Sequence, residues 1–135
     1  MNRTQVLPSG TRIESYEIQK VLGIGGFGIT YQADDHVLNQ TVAIKEYFPA
    51  DVAYRESHCN TIYQQDKQDQ EFYQYGLQRF LDEARTLAKF RNDNIVRISH
   101  YIQANATAYL IMDFEAGISL AQKLKYYPKM PFITL

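Results

Sequence analysis

The chain has 135 residues, enough for one modest domain, with 45% hydrophobic residues and a formal charge of -1 from 14 basic and 15 acidic side chains. Nucleic acid and anionic membrane surfaces demand clustered Lys and Arg, and no basic block is present, so neither is expected as a partner. The lone Cys59 rules out an internal disulfide framework, and His36, His58 and His100 lack metal-ligand spacing; no metal site is expected. No apolar run reaches signal-peptide or bilayer-spanning length, which points to a cytoplasmic protein.

Residues 1–15 read as an irregular lead-in punctuated by Pro8 and Gly10. Tyr16 to Leu22 alternates Tyr16, Ile18 and Lys20 against Glu17, Gln19 and Val21, which predicts a strand. Four glycines follow within six positions, then "ITYQA" predicts a second strand. After the polar turn "ADDHVLNQ" a third strand, "TVAIKEYF", runs until Pro49 stops it. Residues 46–69 include a polar, Gln-rich stretch without a sustained period and read as a long solvated loop. From about Asp69 to Arg91, Gly76, Phe80, Glu83, Ala84, Leu87 and Phe90 recur at three-to-four spacing, the mark of an amphipathic helix. "RNDN" ends it, and "IVRISHYIQ" and "AYLIMDF" are two further strands joined by the turn "ANAT". The expected fold is α+β, a five-stranded antiparallel sheet with one long helix.

The Gly-x-Gly-x-x-Gly spacing of Gly23, Gly25 and Gly28 suits several phosphate-binding architectures. A dinucleotide fold needs a helix after the last glycine, but Gly28 opens a strand; a P-loop needs Gly-Lys-Ser/Thr, and none occurs. What remains is a strand-turn-strand flap, either an ordinary hairpin or one whose backbone amides approach phosphate oxygens with Phe27 as a lid. The period of two places Ala43 and Lys45 on one face of the third strand, with Val42 and Ile44 on the other. Glu83 lies on the apolar stripe of the helix, where a buried carboxylate costs several kcal/mol unless it is paired; either Lys45 is its natural partner, or Glu83 only edges the stripe and faces water.

In order and spacing, "LGIGGFGITY", "VAIK", "FLDEARTLAKF", "RNDNIVRI" and "YLIMDFEAG" resemble the small lobe of a bacterial Ser/Thr protein kinase. "KEYFPADVAYR" and the long loop resemble one bacterial subgroup in which the lysine and glutamate stand unusually far apart in sequence. The resemblance implies an ATP-binding lobe over residues 16–118, with residues 119–135 as the start of a truncated large lobe. It implies that Gly23, Gly25 and Gly28 cover the phosphates and that Ile24 and Ala43 contact adenine, while Gly26 and Phe27 belong to the same flap. Thr30 takes the place of the family's usual valine on that ring. Lys45 would hold the α and β phosphates, fixed by Glu83. Met112 would be the gatekeeper, with the carbonyl of Asp113 and the N–H of Glu115 reading the adenine edge and Ser119 near the ribose.

No His-Arg-Asp precedes "DFEAG", and the chain stops before the positions where the family carries its catalytic base and metal ligands. Phosphoryl transfer to a protein hydroxyl, with Mg²⁺, is therefore expected only with a large lobe as partner. The alternative reading is a stand-alone, non-catalytic module that docks a nucleotide or partner, or dimerises, through an exposed apolar hinge-side surface of Met112, Phe114, Leu120 and Leu124.

Overall fold

The computed structural model describes residues 3–89 and 97–114. Phe90, the "RNDN" turn, Glu115, Gly117, Ser119, Leu120, Leu124 and the segment 119–135 lie outside the described residues. In chain order the elements are β1 (Arg3–Thr4), β2 (Arg12–Ile13), β3 (Tyr16–Ile24), β4 (Gly28–Asp35), β5 (Gln40–Tyr47) and β6 (Arg55–Glu56). They continue with α1 (Lys67–Leu87), β7 (Ile98–Ala104) and β8 (Thr107–Asp113).

Six strands form one antiparallel sheet in the order β2-β3-β4-β5-β8-β7, and β1 pairs with β6 in a separate two-stranded sheet. The five expected strands are therefore joined by a sixth, β2, which pairs Arg12 with Glu17 and Ile13 with Tyr16. Two residues carry no readable alternation, so only the pairing itself reveals such a strand. The lead-in is correspondingly less irregular than its punctuation suggests: Leu7 and Ile13 are buried.

The sheet is strongly curled. Tyr16 of β3 and His100 of β7, near opposite edges in the strand order, share a hydrogen bond of 3.2 Å. Rolling the sheet closes its apolar faces around a continuous core that includes Ile18, Tyr31, Ile44, Tyr109 and Leu110.

The helix starts two residues before the expected Asp69, because Asp66 caps it: the Asp66 carboxylate accepts the Asp69 N–H at 2.8 Å. Its buried face is Tyr73, Gly76, Phe80, Leu81, Ala84 and Leu87. Phe80 and Tyr73 pack on Tyr47 of β5, with ring centroids 5.5 and 5.0 Å away. The Tyr47 hydroxyl donates to the Tyr73 carbonyl at 2.9 Å, and the Tyr73 hydroxyl donates to the Ala106 carbonyl at 2.6 Å. One helix face is thus tied both to the end of β5 and to the β7–β8 turn.

Candidate functional site

The glycine-rich segment is a hairpin between β3 and β4, closed by the Gly25 N–H donating to the Gly28 carbonyl at 2.8 Å. Its tip is anchored from outside: the Phe48 N–H donates to the Phe27 carbonyl at 2.9 Å. None of Gly23, Gly25, Gly26 or Gly28 has a left-handed φ, so close approach is the reason for a glycine here. At Gly28 a Cβ would stand 2.5 Å from the Glu46 carbonyl oxygen and 2.9 Å from Lys45 Cε. At Gly26 an added Cβ meets nothing within 4 Å.

Lys45 lies at the centre of β5, facing Thr30 across one strand boundary and Leu110 across the other. Directly opposed residues project from the same face, so Gly28, Thr30, Ala43, Lys45, Leu110 and Met112 share one side of the sheet. The Lys45 side chain is wholly out of solvent, and burial pushes its pKa down to about 8. Thr30, Ala43 and Met112 are equally closed to solvent, whereas Ile24 at the rim is 60% exposed.

Glu83 is half-buried, with Oε2 shielded from solvent, and follows Phe80 by one helical turn. Phe80 touches Tyr47, which shares the Lys45 face two residues along β5. Asp113 ends β8: its N–H donates to the Arg97 carbonyl at 3.0 Å and its carboxylate accepts the Ser99 hydroxyl at 3.3 Å. Glu115 and Ser119 lie outside the described residues. Of the expected apolar hinge-side surface, Met112 is buried and Phe114 is partly buried against the core, so neither is exposed as expected; Leu120 and Leu124 lie outside the described residues.

The opposite face of β5 carries a charged network that sequence reasoning missed. Arg55 donates to both carboxylate oxygens of Glu46, at 2.7 and 3.0 Å, with both side chains almost completely buried. The Tyr31 hydroxyl donates to Glu46 at 2.9 Å and accepts the Leu7 N–H at 3.0 Å, while Arg55 also donates to the Gln5 carbonyl. The Arg55 guanidinium lies over the Phe48 ring, 4.8 Å from its centroid. Burial opposes the charge on Arg55, but the hydrogen bonds and charge of Glu46 outweigh it and raise its pKa. Burial and then the Glu46 charge push the Tyr31 phenol far up. The segment after β5 is therefore not a solvated linker: Phe48, Ala53, Arg55 and Ile62 are all buried. The available signal is the pair Lys45-Glu46 inside an apolar strand, which forces one charge onto each face of a sheet buried on both sides.

A curled antiparallel sheet with one long helix packed on Tyr47 of the strand that carries a buried lysine, that lysine lying against a glycine hairpin, is the fold of a protein-kinase small lobe. No family model matches the chain. Among solved structures, the apo form of PpkA-294 superposes with a TM-score of 0.80 at 38% identity, over 91% of this chain and 45% of that one. The chain is 30% identical to the serine/threonine-protein kinase PrkC of Bacillus subtilis over 114 residues, which is 84% of this chain and 15% of the relative. It is 28% identical to a probable serine/threonine-protein kinase of Clostridium acetobutylicum, over 87% of this chain and 15% of the relative. It is 25% identical to the serine/threonine-protein kinase PknE of Mycobacterium tuberculosis, over 93% of this chain and 19% of the relative. The chain's homologues are bacterial serine/threonine protein kinases, and it carries their small-lobe fold while spanning less than a fifth of the length of these curated relatives. Among the described residues no helix is long and apolar enough to cross a membrane.

Proposed function

We propose that the chain is the ATP-holding lobe of a bacterial serine/threonine protein kinase, positioning the nucleotide for transfer of its γ-phosphoryl group to a protein hydroxyl once a large lobe completes the cleft. The observation that carries this reading is Lys45, a cation placed at the centre of the sheet and out of solvent, with Gly28 pressed against its side chain. Burying an ammonium costs several kcal/mol. A phosphate close to the amine offsets that cost, because a nearby anion favours the charged form.

The residues present suit ATP. Gly28 leaves no room for a side chain against Glu46 and Lys45, which keeps the hairpin backbone close to the Lys45 side chain. In this reading Gly23, Gly25, Gly26 and Phe27 form the rest of that roof, Lys45 takes the α and β phosphates, and Glu83 orients Lys45. Ile24, Thr30 and Ala43 bracket the adenine, Met112 limits the depth of the pocket, Asp113 and Glu115 read the adenine edge, and Ser119 lies near the ribose. ATP supplies the phosphoryl group; Mg²⁺ and the group that orients the hydroxyl belong to the large lobe. A ring seated on Thr30, Ala43 and Met112 must displace the groups that now cover them. With half a cleft, a dissociation constant on the order of 1 mM is expected.

The test is thermal melting of the chain and of Lys45→Met, with and without Mg-ATP. At about ten times the dissociation constant, nucleotide should add roughly 1.4 kcal/mol to the stability of the wild type and nothing to that of the variant. Equal shifts in both proteins, or no shift in the wild type, would overturn the reading.

A further inference from the structure

We infer that Arg55 is a positioning residue for the glycine hairpin, setting its height over Lys45 from the far face of the sheet. The hairpin tip is held by a bond from outside itself, the Phe48 N–H to the Phe27 carbonyl. Phe48 is the first residue past β5, next but one to Glu46, and its ring is fully buried beneath the Arg55 guanidinium. The same guanidinium grips Glu46 through two hydrogen bonds. Glu46 in turn presents the backbone carbonyl against which Gly28 is pressed. Arg55 thus holds two of the residues that support the hairpin: Glu46, whose carbonyl abuts Gly28, and Phe48, just past β5, whose N–H is bonded to Phe27.

The guanidinium geometry is what makes this work. Two parallel N–H groups fix the rotation of Glu46 about its strand, and the flat face of the same group clamps Phe48, which a single ammonium point charge cannot do together. The network reaches further, since Arg55 donates to the Gln5 carbonyl and Tyr31 receives the Leu7 N–H. The residues before β2 therefore brace the same clamp and, through it, the hairpin. The relation of clamp to hairpin stands on geometry alone; its bearing on nucleotide affinity rests on the proposed function.

Hydrogen exchange of individual backbone amides, with and without Mg-ATP, tests it on Arg55→Lys in the full chain. The Gly25 and Phe48 amides should exchange about tenfold faster than in the wild type while the interior amides of α1 keep their rates, the mark of a local opening. Acceleration spread evenly over α1 and the hairpin, or no acceleration at the hairpin, would overturn the inference. If Arg55→Lys does not fold, Phe48→Leu decides: it keeps an apolar group there but removes the aromatic platform, and the same two amides should again accelerate alone. Unchanged Gly25 and Phe48 amides in Phe48→Leu would overturn it. In the variant that folds, affinity for Mg-ATP should fall about fivefold. A wild type that ignores Mg-ATP would defeat the proposed function and leave the exchange result to judge the clamp.

Discussion

Arg55 closes on Glu46 with hydrogen bonds of 2.7 and 3.0 Å to its two carboxylate oxygens, and both side chains are essentially inaccessible to water. A pair this deeply buried returns little net stability over an apolar replacement, but removing one member strands the other. Arg55→Met is expected to cost about 3 to 5 kcal/mol, leaving a carboxylate buried beside Tyr31. The double variant Glu46→Gln with Arg55→Met should recover much of that loss. Urea unfolding of the two singles and the double forms the cycle, and independent additive effects would show that the pair is not coupled.

The two loop glycines should behave differently. At Gly28 an added methyl meets the backbone carbonyl of Glu46 at 2.5 Å, and β4 and β5 must part to make room. Gly28→Ala is therefore expected to destabilise by about 1 to 3 kcal/mol, as overpacking does. At Gly26 the space is open, so Gly26→Ala should leave the melting temperature within a degree or so of the wild type. Equal effects of the two substitutions would mean that the hairpin does not rest on β5.

The pH dependence of stability carries two opposed signals. Burial lowers the Lys45 pKa from 10.5 to about 8, so between those values the folded chain holds fewer protons than the unfolded one. Stability should rise with pH across that window, by on the order of 3 kcal/mol in total, while below pH 8 the burial penalty is present in full. Tyrosines act the other way: burial raises the Tyr73 pKa to about 12 and those of Tyr31, Tyr47 and Tyr109 still further, from an ordinary 10.0. Above pH 10 the folded chain holds more protons than the unfolded one, and stability should fall. Urea midpoints between pH 7 and 11 should pass through a maximum near pH 10. Lys45→Met should remove the rising limb and keep the falling one; a rise that survives in the variant would assign it to another group.

Much of the fold is legible from local pattern. Alternation marks β3, and β-branched and aromatic runs between turn residues mark β4, β5, β7 and β8. Three-to-four spacing marks α1 to within a few residues. Lys45 and Glu83 can be placed on a strand and on a helix for the same reason. Arg55 is illegible: it sits in a short polar stretch with no period, and nothing near it states that its partner is nine residues back on a strand. The buried Met112 is misread for a related reason. It stands near the end of its strand in sequence, and only tertiary packing takes the face it shares with Ala43 and Lys45 out of solvent.

Taken alone, the order of residues determines which segments extend, which one coils and where the backbone is bare, since those choices depend on neighbours a few positions apart. Three-dimensional packing decides which charges meet and which loops are buried. Those contacts arise only when the sheet curls and distant segments close on it, and no local pattern encodes that closure.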